Sequence, residues 1–451
     1  MQKFKKGIQY VDIVSAVTKN ELTSIITNNS DYEEFSKIKF IPASGAATRM
    51  FKDLYTYLED QKNTDFIDTF FDQLEHFAFF EELNEEIDIK TLDKNNVTDR
   101  VYIIQTLLND KMNYGDMPKA LIKFHKYNDG NLTPIDEHIY EGKNYLDTDN
   151  VNLHFTIAEK DEKQFNEYVK KTTEDNKNIN VTYSFQKEKT DTVAADMNIE
   201  PFKTENGDIL TRPGGHGALI ENMNDLEEDI IFIKNIDNVC HQSQIEDTIE
   251  YKKMLAIIGT EVKEKIDAYI SNLLSGNYDL AEISQFIKES LNITLKKKMT
   301  KEYALKFLNR PLRVCGVVKN EGDPGGGPYI VDSGDYLDLQ ICEASEIDMS
   351  DPNQVAILND SEYFNPVDLV CFVKDYKGDK FNLLNYINED RYFISEKTHE
   401  GESLKALEHP GLWNGAMHNW NTLFVEVPLS TFNPVKTVND LLKDGHRDTE
   451  L

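Results

Sequence analysis

Apolar positions along the chain fall into two rhythms. Short runs read as strands. Ile230-Ile231-Phe232-Ile233 is apolar without a break, the pattern of a central parallel strand buried on both faces. Ile38-Lys39-Phe40-Ile41 is a similar short run, and Val151 to Ile157 alternates. Further strands are predicted at Val181 to Gln186, Leu312 to Val318, Tyr329 to Val331, Leu339 to Cys342, Leu369 to Val373 and Thr422 to Val427. The second rhythm is helical. Phe66, Ile67, Phe70, Phe71, Leu74 and Phe77 recur at helical spacing among acids. Tyr251, Met254, Leu255, Ile258, Val262, Ile266, Tyr269, Ile270 and Leu273 hold the same period over several turns. Strand, helix, strand in succession predicts an α/β fold with parallel pairing and right-handed crossovers. Residues 1–37 read as a helical or irregular N-terminal segment. Residues 38–451 read as one domain, with helical insertions at about 53–116 and about 245–305. No internal repeat or low-complexity linker interrupts it.

The composition supports a packed core: 39% of the 451 residues are hydrophobic, with 24 Phe and 21 Tyr. A net charge of −31 argues against nucleic acid and anionic membranes as partners. It also requires any phosphate site to concentrate its cations locally. Cys240, Cys315, Cys342 and Cys371 form no CxxC pair, so neither a zinc ribbon nor a redox motif is suggested. No window approaches 18 apolar residues and no leader pattern precedes Asp12, so a cytoplasmic protein is expected. No Ser/His/Asp order, HExxH motif or metal-ligand spacing of histidines is legible.

Seven short stretches could carry chemistry. The run at 38–41 breaks into small residues, Ala43 to Ala47, then Thr48 and Arg49, with an apparent helix from Met50. Strand, small-residue loop and helix start offer an anion free N–H groups and the positive end of a helix dipole. Arg49 adds a planar phosphate-binding fork. The same pattern also serves a plain strand-to-helix turn. Pro213-Gly214-Gly215-His216-Gly217 either exposes bare backbone to a ligand or makes a tight connection before a helix predicted over Ala218 to Leu226. Asp237 ends the central strand, where open α/β sheets bind ligands. It suits Mg2+, which takes only one or two protein carboxylates, or it caps the next helix. Lys119 after Pro118, and Lys436 after Pro434, either present a mobile charge to phosphates or are solvated surface lysines. Gly325 to Gly327 forms a hairpin or a wall admitting a sugar ring. Glu343 accepts sugar hydroxyls or marks a strand end.

In order, these stretches resemble the sugar-1-phosphate nucleotidyltransferases, and most closely the eukaryotic-type UDP-glucose pyrophosphorylases. The chain is further identified as a member of a bacterial group, domain-of-unknown-function family 4301. Ser44-Gly45-Ala46-Ala47-Thr48-Arg49-Met50 is similar to the family's Gly-x-Gly-Thr-Arg-Leu nucleotide loop, with Ala47 in place of the second glycine. Pro118-Lys119 resembles a Pro-Lys that usually follows within about ten residues. Phe185-Gln186 resembles the strand whose glutamine reads uracil, and 213–217 resembles a Pro-Pro-Gly-His-Gly loop. Asn235-Ile236-Asp237-Asn238 matches the Asn-x-Asp-Asn metal motif. Gln340-Ile341-Cys342-Glu343 is similar to the strand whose glutamate holds sugar hydroxyls, and Asn365 aligns with a sugar-contacting asparagine. Pro434-Val435-Lys436-Thr437-Val438-Asn439-Asp440 resembles the family's lysine motif. Trp413-Asn414-Gly415 is similar to a late motif of bacterial relatives, making Asn414 a candidate for a second metal position.

The resemblance implies a glycosyltransferase-A-like (Rossmann-like) fold: a mixed, mostly parallel sheet with helices on both faces. It implies transfer of a nucleotidyl group, from UTP, to a sugar 1-phosphate with release of pyrophosphate. Arg49, Lys119 and Lys436 would be catalytic, and Asp237 would hold Mg2+. Ser44, Gly45, Ala46, Thr48, Gln186, Gly214, Gly215, His216 and Asn235 would bind nucleotide. Gly326, Glu343 and Asn365 would bind the sugar. Two other readings remain: a glycosyltransferase of the same fold, and a non-catalytic nucleotide-sugar-binding protein in which Ala47 signals lost activity.

Overall fold

The structure, a computed structural model, describes residues 1–24, 31–45, 47–322 and 325–448. It is a mixed α/β architecture whose main sheet is largely parallel. The chain forms two compact units. The first comprises Met1–Phe40, Gln186–Ile233 and Lys252–Val427, and the second comprises Ile41–Phe185, Lys234–Tyr251 and Pro428–Leu451.

In the first unit the strands lie in the order Asn421–Glu426, Leu312–Lys319, Tyr363–Phe372, Ile230–Lys234, Lys37–Pro42. Leu312–Lys319 runs parallel to Asn421–Glu426 and antiparallel to Tyr363–Phe372. Lys37–Pro42 pairs parallel with Ile230–Lys234, from Lys37 opposite Ile230 to Phe40 opposite Ile233. Every residue of Ile230–Lys234 is buried, which explains why its sequence shows no polar alternation. The long helix Glu246–Ser275 packs closely here through Gly259. A Cβ at that position would sit 2.1 Å from the Phe372 ring, so only glycine fits. Lys252 on this helix forms a fully buried ion pair with Asp368.

A smaller antiparallel sheet contains Ile13–Ala16, Gly326–Asp332, Tyr336–Glu343 and Thr294–Leu295. The N-terminal segment, expected to be helical or irregular, holds a short helix, Gln2–Lys6, and the strand Ile13–Ala16. Four residues are too few to display a strand period, and pairing with Gly326–Asp332 decides their conformation. The segment Ala218 to Leu226 also differs from its expected helix: a 3-10 turn His216–Leu219 leads into a single helical turn, Ile220–Met223. The hairpin Phe393–His399 with Glu402–Glu408 was not legible as strands. Its two-residue turn, Glu400 and Gly401, has positive φ at both positions, the requirement of a type I′ turn.

In the second unit, Val151–Ile157 and Ile179–Phe185 pair in parallel. The Ala43 N–H donates to the Thr156 carbonyl, so the strand leaving Pro42 continues beside them. The helices Lys52–Asp60, Asp65–Asp72, Phe80–Glu86 and Val97–Gln105 bury an aromatic core. Phe51, Phe70, Phe71, Phe77, Phe79 and Tyr114 meet there, with Phe77 stacked on Phe79 at 4.9 Å. Val435, Val438, Leu441 and Leu442 complete that core, so it anchors the segment that carries Lys436. The helix Pro134–Tyr145 starts at a capping box formed by Thr133 and Asp136, with proline in its first turn. It turns Glu137, His138 and Glu141 inward. Glu141 pairs with the equally buried Lys234 at 2.7 Å, and a His138 ring nitrogen bonds the Ile236 carbonyl. These contacts fix the end of the strand just before Asp237.

Glu137 is fully buried among His125, Tyr127 and Gln242, at 2.8, 2.8 and 3.1 Å. Burial pushes its carboxyl up to about 7, against the pull of the Gln242 and Tyr127 hydrogen bonds. The folded chain therefore holds a proton on Glu137 that the unfolded chain releases near pH 4.5, so this contribution to stability falls as pH rises from about 4.5 to about 7. Over that window it is on the order of 3 kcal/mol. Urea unfolding at pH 5, 6 and 7.5 should show a decline that flattens in Glu137→Gln. An identical slope in both proteins would refute the assignment.

Candidate functional site

The turn after Ile230–Lys234 holds two later pieces of chain. Ile236 donates its N–H to Pro42, and the Asp237 carbonyl accepts from Val435 at 3.0 Å. Asn238 bridges to Pro434, and its Oδ1 accepts the Asn433 N–H at 2.8 Å. Asn235 is half-buried, and its carbonyl closes the turn by accepting from Asn238. The segment 433–435 is thus fixed against the Asp237 turn by main-chain geometry before any side chain is considered.

The small-residue loop and Pro118-Lys119 meet, although some 70 residues separate them in the chain. Ala47 donates its N–H to Met117, and Lys119 donates to the Gly45 carbonyl. The N–H of Val438 donates to Met50, joining the lysine motif to the same loop. The helix expected from Met50 begins at Lys52, after the 3-10 turn Ala47–Arg49. Ser44, Gly45, Thr48 and Arg49 are exposed. Arg49 makes no ion pair or hydrogen bond among the described residues, so its guanidinium is open to a ligand. Ala46 lies outside the described residues. Ala47 is fully buried in the aromatic core. Its methyl group fills that core and does not occupy the loop's exposed face.

Two lysine side chains converge on one carboxylate. Lys119 Nζ donates to Asp237 Oδ2 at 2.8 Å and also to the Val435 carbonyl. Lys436 Nζ donates to the same Oδ2 at 3.4 Å. The exposures differ sharply: 12% for the Lys119 side chain, 13% for Asp237 and 57% for Lys436. Burial raises the Asp237 pKa, but the two ammonium groups outweigh it and hold the carboxyl below its ordinary value. Burial lowers the Lys119 pKa, and the attraction of Asp237 does not fully restore it. Asp440, whose role was not assigned from sequence, accepts the Lys436 and Thr437 N–H groups at 2.8 and 2.6 Å. The Thr-x-x-Asp spacing of a capping box is its readable signal.

The remaining candidates lie in the first unit. Gln186 is half-buried and lies at 3.5 Å from the Thr190 hydroxyl. Gly214, Gly215 and Gly217 face the chain at Glu408–Pro410. Added Cβ atoms would come within 2.3 Å of His409, 2.8 Å of Glu408 and 2.0 Å of the Pro410 carbonyl, respectively. Gly214 and Gly217 are required by packing whether or not a ligand binds, and Gly215 by its φ of 77°. His216 stacks on Trp413 at 4.4 Å and accepts the Leu412 N–H, and burial lowers its pKa to about 4. It is neutral at physiological pH.

Gly326 pairs directly opposite Glu343 across the antiparallel strands, so two of the sugar candidates are neighbours. Burial, then the charge of Glu346, pushes the Glu343 carboxyl up to about 7. Asn365 is buried, with its Oδ1 accepting the Val367 N–H and its Nδ2 without a partner among the described residues. Val367 has φ of 58°, a strained conformation for a β-branched residue, and strain of this kind concentrates at functional sites. Asn414, the candidate for a second metal position, keeps its Oδ1 without a partner among the described residues. It is fully buried, with its amide nitrogen bound to Glu346 and the Ile341 carbonyl.

The sequence profile of the family described as Domain of unknown function (DUF4301) matches residues 1–447. No curated protein matches the chain. Among solved structures, a UDP-glucose phosphorylase from Trypanosoma brucei superposes with a TM-score of 0.50 at 13% identity, over 97% of this chain and 72% of that one. A variant UDP-glucose pyrophosphorylase from Leishmania major, in complex with UDP-glucose, gives 0.49 at 14% identity over the same shares. The trypanosomal match establishes a shared fold.

The exposures predict unequal effects on folding. Lys119→Ala leaves a largely buried carboxylate with one distant cation and should cost about 1–3 kcal/mol. Lys436→Ala removes a mostly exposed partner and should change stability by less than about 1 kcal/mol. Urea unfolding of both variants checks this, and equal losses would contradict the geometry.

Proposed function

The chain belongs to the DUF4301 family, and we propose that it joins a nucleoside triphosphate, UTP, to a sugar 1-phosphate, giving a nucleotide-sugar and pyrophosphate. The observation that carries this reading is the convergence of Lys119, Asp237 and Lys436 beside the exposed loop of Ser44, Gly45, Thr48 and Arg49. A phosphate oxygen of the sugar 1-phosphate attacks the α-phosphorus, and the bond to the departing pyrophosphate breaks. Such transfer depends on positioning and charge neutralisation and needs no covalent nucleophile from the protein.

Each residue takes a role suited to its setting. Arg49, exposed and without an internal partner, binds the triphosphate as a planar fork. Lys119, held from two sides, is a fixed charge at the base of the site. Lys436, the most exposed of the three, can leave Asp237 Oδ2 and follow charge onto the reacting phosphates. The buried Ala47 methyl lies in the aromatic core and leaves the loop's exposed face open to a nucleotide.

The donor set fits Mg2+. No group of three or more His, Cys, Asp or Glu that could hold a metal gathers among the described residues, which argues against an all-protein cage. Mg2+ needs only one or two carboxylates when phosphates supply its other oxygens. Asp237 provides one carboxylate, and both lysines use the same oxygen of it. Bound there, Mg2+ would neutralise triphosphate charge. Asp237 would hold it, and Lys119 and Lys436 would turn to the phosphates.

The test is pyrophosphate release from the pure protein with Mg2+ and a matrix of nucleoside triphosphates and sugar 1-phosphates. Release is expected with UTP and at least one sugar 1-phosphate. Lys436→Ala and Asp237→Ala should each lower kcat by at least about a hundredfold while the circular dichroism stays native. No release with any pair overturns the reading, and full activity in either variant removes the role given to that residue.

A further inference from the structure

A row of buried polar groups in the second unit takes no part in the steps above. His125, Glu137 and His446 are all buried. His125 Nδ1 lies 2.8 Å from Glu137 Oε1, and its Nε2 lies 2.9 Å from His446 Nδ1. Tyr127 donates to Glu137 Oε1 and Gln242 to Oε2, so the carboxyl is also held from outside the row. Burial lowers the pKa of both histidines, His125 to about 3 and His446 well below its ordinary value. Both imidazoles are therefore neutral at physiological pH.

A neutral imidazole has one donor and one acceptor, so each of the two contacts needs one proton. When Glu137 carries a proton it donates to His125 Nδ1, and His125 Nε2–H donates to His446 Nδ1. When Glu137 loses that proton, His125 Nδ1–H donates to the carboxylate and His446 Nδ1–H donates to His125 Nε2. Either direction closes both contacts, so the row holds on both sides of the Glu137 titration. An apolar side chain at 446 would fill the space without direction, whereas the imidazole fixes a distance and an angle.

Contacts run unbroken from this row to Lys436. The His446 N–H donates to the Lys443 carbonyl at 2.9 Å, and the Lys443 N–H to the Asp440 carbonyl at 3.0 Å. Asp440 Oδ2 accepts the Lys436 N–H at 2.8 Å. The Gly445 carbonyl accepts the His241 N–H at 2.8 Å, and the His241 ring stacks on Tyr127 at 4.2 Å. Upstream of Lys436, Val435 is held by Asp237. Downstream, the line ends at Glu137 on the helix Pro134–Tyr145. The main chain of Lys436 is fixed from both ends while its side chain stays mostly exposed.

We propose that His446, held by His125 and Glu137, is a positioning residue that sets the place of Lys436 for transfer. This rests on the reaction proposed above.

Two measurements test it. Pyrophosphate release is followed with Mg2+, UTP and a sugar 1-phosphate that the natural protein accepts. His446→Leu should lower kcat about tenfold, the scale of a small misplacement, while KM for UTP changes less than about twofold. His446→Asn, whose amide offers a donor and an acceptor near the position of Nδ1, should keep kcat within about twofold. Packing alone predicts the reverse order, since leucine fills a buried site better than asparagine. Equal losses, a larger loss in the asparagine variant, or natural kcat in the leucine variant overturn the positioning role and leave the reaction standing.

Amide hydrogen exchange reads the same link without turnover. The Val435 and Val438 N–H groups donate to Asp237 and Met50. Their protection should fall about tenfold or more in His446→Leu and stay within about twofold in His446→Asn. Unchanged protection in the leucine variant overturns the inference. If the natural protein releases no pyrophosphate with any pair, the transfer reaction falls, and exchange still decides whether His446 places the segment of Lys436. Should His446→Leu fail to fold, His446→Asn decides: a loss of about tenfold in kcat or protection overturns the inference, and natural values support it.

Discussion

Two ammonium groups share one carboxylate oxygen at the centre of the second unit. Without Asp237 they would repel across a short gap, one of them nearly buried. With it, three segments distant in sequence are drawn to one point: the turn after Pro118, the end of the central strand, and the segment after Pro434. Main-chain hydrogen bonds reinforce the arrangement, since Val435 donates to Asp237 itself and Val438 to Met50. On the proposed reading, a triphosphate offers these lysines the same kind of charge in greater number, so the resting contact and the working contact are the same interaction with a different anion.

The acidic composition sharpens this point. A net charge of −31 makes the protein a poor attractor of phosphate at long range. Affinity for a polyanion must then arise at contact distance, from Arg49, Lys119 and Lys436 together. Lys119 owes its place to packing, because the aromatic core beneath the loop also buries Ala47 and the apolar residues around Lys436. A core that looks merely structural thereby sets the spacing of the cations.

Much of this was legible in the chain. The unbroken apolar run at 230–233, the alternation at 151–157 and the helical period around 251–273 each predict the element found, because burial pattern is a local record of tertiary position. Asp237, Lys119 and Lys436 were marked by their neighbours, and the structure brings all three together. What sequence could not show depends on distant partners. The glycines at 214 and 217 looked like open backbone, yet packing against His409 and the Pro410 carbonyl demands them. Ala47 looked like an obstruction until its methyl was seen in the core. The row of Glu137, His125 and His446 carries no local signal, since residues 125 and 446 meet only in the fold. Ile13–Ala16 is too short to display a period, and its partner lies more than 300 residues onward.

The second unit is assembled from three separated stretches of chain, and its last stretch follows the whole of the first unit in sequence. During synthesis, the aromatic core around Phe70 and Phe77 must wait, unfinished, until Val435, Val438 and Leu441 emerge. Until then residues 41–185 lack the apolar side chains that close their core. Completion of that core and delivery of Lys436 are then one event. The cation that the proposed chemistry needs sits on the same few residues that seal this core.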